Sequence, residues 1–300
     1  PLVQGLNMAK SEEPKYKQRT YDNELIDYLP THKLSLAVDS ATVVANKVVP
    51  EMYDSLILKN MEFNFENKKA IHKVDAMMLE IVSANNWKRP IYYASTVPQD
   101  IYSYFGDYLL QTGLAMQVVP VNTKEHVLYT NTERMYDNVM NKFKWSGLDK
   151  PGLYLDETNM RMCKGQRSTY NLLANVLMQE NKIDSALKVL DRCIESFPDY
   201  NVPYDRSVFP ILISYLRLNQ LEKAKPIGES LLNKLFTSID WMLRLKPSFR
   251  RTVEGELQKD LHLAFDILNE FYQLDKEYAE SFMPRFNSYS SQAQKTTNPQ

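Results

Sequence analysis

The residues able to do chemistry are few and scattered. Histidines stand at His32, His72, His126 and His262, and no two share a metal-ligand spacing with each other or with a cysteine. His72 and Asp75 lie at i,i+3 on an expected helix and offer two ligands at most. A solvent-facing histidine beside a carboxylate is the commoner use of such a pair. No glycine-rich phosphate loop, Gly-x-Ser-x-Gly elbow or Cys-x-x-Cys occurs. The carboxylate pairs Glu12-Glu13 and Asp156-Glu157 sit in polar stretches, where solvation accounts for them. Cys163 and Cys193 make no disulfide framework and read as two buried free thiols. These residues assign no catalytic group, no metal and no cofactor.

Two places could recognise a ligand. In Asn85-Asn86-Trp87-Lys88-Arg89-Pro90, Trp87 beside Arg89 could stack on a sugar or a peptide. Tyr102 and Tyr104, in an aromatic stretch read as a surface loop over 98–108, could join them. The plainer reading is structural: the asparagines stop a helix, Trp87 covers a sheet and Pro90 starts a strand. The second place is a helical face carrying Tyr170, Asn171, Asn175 and Gln179, which would bind a polypeptide partner if it lines a concave surface. A short array that only braces its neighbours is the competing reading.

Those residues need elements to position them. From Lys33, Leu34, Leu36 and Val38 alternate with Ser35 and Ala37 as a strand, and Asp39 or Ser40 caps a helix through Ala45. Residues 55–58 and 62–65 are further strand candidates. Ile71, Val74, Met78, Ile81 and Val82 form one apolar helical stripe ending at Asn85-Asn86. Strands are expected at 91–94 and 114–121, so helix and strand alternate as in an α/β module. A helix is expected over 132–143, then Ser146-Gly147 and Pro151-Gly152 punctuate the chain.

The later part is helical. Against the helix–turn–helix template of about 34 residues, Arg167 takes the first position. Tyr170 fills the aromatic slot, Leu173 and Ala174 the large and small pair, and Leu177 continues the face. Asn181 occupies the turn, then Ala186, Leu190, Cys193 and Pro198 follow in order. A degenerate second hairpin runs from 208 to 236, with Ala224 in the small slot and Gly228 where a large residue is usual. Residues 257–282 offer another helical pair. The expected organisation is a connector over 1–20, an α/β module over 21–150, a tetratricopeptide-like domain over 151–286 and a disordered tail over 287–300.

Bulk properties narrow the function. Net charge is −1 and the two halves are balanced, so no domain has the positive field that nucleic acid or an anionic membrane would demand. The basic stretch Arg244, Lys246, Arg250 and Arg251 reads as a solvated helix end. The richest apolar stretch, 34–49, holds Asp39, Asn46 and Lys47, so no transmembrane segment is expected. Lacking an initiator methionine and a signal peptide, the chain reads as a segment of something longer.

Several motifs then carry a resemblance. Residues 85–92 and 113–120, Met135-Tyr136-Asp137-Asn138-Val139-Met140-Asn141-Lys142-Phe143-Lys144-Trp145 and Gly152-Leu153-Tyr154-Leu155-Asp156-Glu157 look like the C-terminal part of a bacterial multi-pass membrane family. Its N-terminal domain is similar to protein O-mannosyltransferases. The resemblance covers about residues 20–240, and the helical half is similar to the family's tetratricopeptide-like tail. It implies a membrane-embedded catalytic part elsewhere, further α/β sequence upstream, and a place on the periplasmic side of the inner membrane. The expected role is non-catalytic: binding or presenting acceptor polypeptides through the repeats. The alternatives are a module that braces the membrane domain or drives assembly, and a weak carbohydrate-binding module.

Overall fold

A computed structural model describes residues 17–27, 32–66, 71–126 and 130–297. The chain divides into two compact units, Pro1–Met135 and Tyr136–Gln300.

The first unit mixes helices with short strands. Strand β1 (Lys17–Arg19) pairs with β2 (Leu25–Asp27), and β3 (Lys33–Ala37) with β4 (Asn60–Asn64). Strands β5 (Tyr92–Ala94), β6 (Leu109–Gln111) and β7 (Ala115–Val118) form a sheet in the order β5-β7-β6. Every ladder between these strands is antiparallel. The register Leu34↔Phe63 and Leu36↔Met61 puts the apolar residues of β3 and β4 on one face, because side chains alternate along a strand. Those side chains join one core with Val43, Leu79, Val82, Trp87, Leu110 and Val118.

Local chemistry sets the ends of its helices. In α1 (Ser40–Ala45), Asp39 accepts from the Thr42 backbone N–H and from its hydroxyl. Ahead of α2 (Lys73–Asn85), the His72 backbone N–H donates to Asp75 Oδ2 at 2.9 Å. The helix stops at Asn86, whose φ of 42° is left-handed. Asn85 then holds Arg89 from both sides, donating to its carbonyl and accepting from its N–H.

Two local expectations differ. Residues 55–58 are not a strand; Glu51–Leu56 is a 3-10 helix whose side chains reach the core singly. The aromatic stretch 98–108 is not a surface loop. It forms two 3-10 turns that bury Phe105 and Tyr108, since rings of this size stabilise a small core more than a loop surface.

The second unit is helical. After α3 (Thr132–Asp137) the chain widens into one π-helical turn over Asn138–Lys142. There follow α4 (Glu157–Gln179), α5 (Ile183–Ser196), α6 (Phe209–Arg217), α7 (Leu221–Arg244), α8 (Pro247–Leu274) and α9 (Lys276–Thr297). The α4–α5 hairpin buries Tyr170, Leu173, Ala174 and Leu177 against Ala186, Leu190 and Cys193. The α6–α7 hairpin repeats it. Lys182 N donates to Leu177 O and Asn181 N to Met178 O; 38 positions on, Gln220 N donates to Tyr215 O and Asn219 N to Leu216 O. Asn181 and Asn219 are both left-handed, with φ of 57° and 54°. The same C-cap thus closes the first helix of each hairpin at the corresponding position. The α4–α6–α8 row of first helices is in contact, as in a stacked repeat.

Two boundaries move. Residues 145–150, expected in the first domain, pack on the helical unit. Asn201 Nδ2 donates to the carbonyls of Leu148 and Lys150 at 2.7 Å each, and Trp145 Nε1 donates to Tyr170 OH at 2.9 Å. Residues 287–297, expected to be disordered, continue α9. Ala293 is buried there and the Tyr289 ring lies 5.7 Å from that of Phe236. Residues 1–16 of the expected connector and 298–300 of the tail lie outside the described residues. No helix among the described residues is long and apolar enough to cross a membrane.

Candidate functional site

The proposed partner face of α4 is only partly a surface. Tyr170 is fully buried: its ring stands edge-on to Phe197 at 5.8 Å and its hydroxyl accepts from Trp145. It is a packing residue and presents nothing to a partner. Asn171 is half-buried, and its Oδ1 accepts from Ser214 Oγ at 2.9 Å, tying α4 to α6. Gln179 is exposed and Asn175 half-exposed, so these two keep access to solvent. Arg217 is exposed at the end of the neighbouring first helix, α6. The accessible polar row on the first helices is thus Asn175, Gln179 and Arg217.

The most organised polar centre of the unit was not foreseen. Arg167, with 1% of its surface exposed, stands under the segment 197–207. Its guanidinium donates to the carbonyls of Phe197, Val202 and Pro203 and to Ser207 Oγ, and lies 5.2 Å over the Tyr204 ring. Burial pulls its pKa below the ordinary value, while Cys193, Asp205, Tyr204 and Asp199 oppose that; guanidinium stays charged. Asp199 gathers the other half of the segment, accepting from the Tyr204 N–H at 2.6 Å, from Ser230 Oγ at 2.6 Å and from Lys234 Nζ. Burial works against its ionisation, but those three donors outweigh it and hold the carboxyl below its usual range. Every carbonyl so used would otherwise be orphaned in the linker between the two hairpins. The centre is therefore structural. Its only sequence signal is a cationic residue at the first position of a repeat.

In the first unit, the four stacking candidates do not form a platform. Trp87 is 5% exposed and belongs to the core, and its carbonyl accepts from Asn46 Nδ2. Arg89 is exposed, and its backbone is held by Asn85. Tyr102 and Tyr104 are half-buried: the Tyr102 ring lies 5.3 Å from Tyr93, the Tyr104 ring 5.5 Å from Phe65, and the Tyr104 hydroxyl donates to the buried Asp75. Each ring thus gives part of its surface to the core of the unit.

Among the described residues no group of three or more His, Cys, Asp or Glu could hold a metal ion; Cys163 and Cys193 are free thiols, Cys193 buried as expected and Cys163, against expectation, only half-buried. A cavity of about 250 Å³ lies between α8 and α9, lined by Leu261, Phe265, Phe286 and Ala293 with His262 and Gln258 at its edge. It brings no second titratable group to His262.

The chain thus comprises a small β-rich module with helices and a helical-hairpin region. Residues 1–139 match the family model described as TMEM260-associated domain 2, a match that spans the first unit and ends as the helical one begins. No curated protein and no solved structure matches the chain.

Proposed function

We propose that this chain is a non-catalytic region of a membrane-bound, glycosyltransferase-like protein, and that its hairpins hold acceptor polypeptides for a catalytic part elsewhere in that protein. The observation that carries the reading is the duplicated hairpin, with its twin caps at Asn181 and Asn219 and the α4–α6–α8 row. Repeat arrays of this kind bind polypeptide segments on the row of first helices. The match of residues 1–139 to a domain associated with TMEM260, and the motif resemblance to a bacterial multi-pass family, support the membrane context. A periplasmic place outside the inner membrane is part of the same proposal.

The test is photocrosslinking in cells. Photoreactive residues at Gln179 and Arg217 of the parent protein are expected to trap glycosylated acceptor polypeptides. Trapping of one fixed partner, or of the chain itself, overturns the reading. That result would favour the second reading, a bracing module, which the internal use of Asn171 against Ser214 supports.

A further inference from the structure

The corner between α7 and α8 has a composition that averages conceal. Trp241 and Phe249 stand within a turn of it and are 59% and 61% exposed, while their neighbours Met242, Leu243 and Leu257 are buried. Lys246, Pro247, Ser248, Arg251 and Thr252 are exposed around them. Between 240 and 252 the chain holds four cations and one acid, Asp240. Arg250 is spent on the fold, its Nη2 donating to the carbonyls of Leu243 and Leu245 and so closing the end of α7. Arg244 pairs with Asp240. Lys246 and Arg251 make no ion pair among the described residues. The next acids are engaged elsewhere: Glu254 with Gln258, and Glu256 with Lys259 and Arg206. The neighbouring stretch of α9, residues 281–297, contains no acid.

We propose that this corner docks on an anionic bilayer surface. Trp241 and Phe249 enter the headgroup layer while Lys246 and Arg251 face lipid phosphates and carboxylates. Indoles concentrate at membrane–water interfaces, and basic side chains near the surface are drawn to anionic lipid. Charge complementarity selects the anionic lipid. The fluidity of headgroups selects a membrane over an acidic protein, because lipid closes around single projecting rings without a pocket shaped for each. The inference is independent of the acceptor-binding proposal, which concerns other residues.

Trp241 is the exposed tryptophan, since Trp87 is buried and Trp145 is half-buried with its indole N–H on Tyr170; W241A shows how much of the emission change is its own. The full chain is mixed with phosphatidylcholine vesicles with and without phosphatidylserine. With phosphatidylserine, tryptophan emission should move to shorter wavelength and the protein should sediment with the vesicles, less so as salt rises. K246E/R251E should weaken binding about tenfold or more, and W241A/F249A should weaken it comparably. Both positions are exposed and neither Lys246 nor Arg251 makes an ion pair among the described residues, so the fold is kept, which circular dichroism of the variant checks. Equal binding to both vesicle types, or binding unchanged in both variants, overturns the proposal. So does a polyglutamate peptide that shifts the emission at lower concentration than the anionic vesicles.

Discussion

The ring of Phe271 fills the space beside Gly228: a Cβ at 228 would lie 2.5 Å from Phe271 Cε2. The missing large residue of the second hairpin is thus supplied by a ring from α8. Gly228→Ala should gain about 1 kcal/mol of helix propensity and lose about 1–3 kcal/mol to overpacking. A net loss is expected in urea unfolding. Adding Phe271→Leu to G228A should cost less than Phe271→Leu alone, because the two positions are coupled. A G228A protein more stable than the parent would refute the packing argument.

Arg167 should be indispensable for stability and not for chemistry. Arg167→Met strands the carbonyls of Phe197, Val202 and Pro203 in a dry interior, at an expected cost of about 3 kcal/mol or more. Arg167→Lys should not rescue it, because an ammonium cannot span the fork of acceptors. Hydrogen exchange should show the loss first in residues 198–207. Uniform exchange across the whole unit would contradict that localisation.

The linker also predicts a response to acid. Asp199 and Asp205 both have pKa values lowered by folding, despite burial that pushes the other way. Their stabilisation is complete above the unfolded value of about 3.9 and is lost as pH falls through the lower folded value. Asp199→Asn should flatten the fall in stability as pH drops below about 4. An unchanged acid limb in that variant would mean other carboxylates dominate.

The thiols should separate by reactivity. Burial pushes Cys193 up to about 12, and the half-exposed Cys163 is raised less far. At neutral pH a thiol reagent is expected to modify Cys163 slowly in the native protein, and Cys193 only after denaturation. Native labelling of Cys193, or a Cys163–Cys193 disulfide under mild oxidation, would contradict the packing of α4 on α5.

Where periodicity and capping act locally, the sequence is readable. Asp39, Asn85-Asn86 and the slots from Tyr170 to Cys193 all fall where reasoning places them. The misses share one cause, burial decided by distant partners. Phe105 and Tyr108 become core because β4 and Tyr93 lie beside them. The polar stretch 287–297 is helical because Tyr289 and Ala293 find α7 and α8, too sparse a stripe to recognise alone. Among the site candidates, the slot that made Tyr170 legible as a repeat residue is also what buries it.

The reach of Arg167 has a consequence for synthesis of the chain. Its acceptors lie 30 to 40 residues downstream, beyond the end of α5. Until residues 197–207 have been made, the guanidinium that they cover keeps its water and lacks those acceptors. The α4–α5 hairpin therefore gains its full stability only once the chain has been synthesised through Ser207.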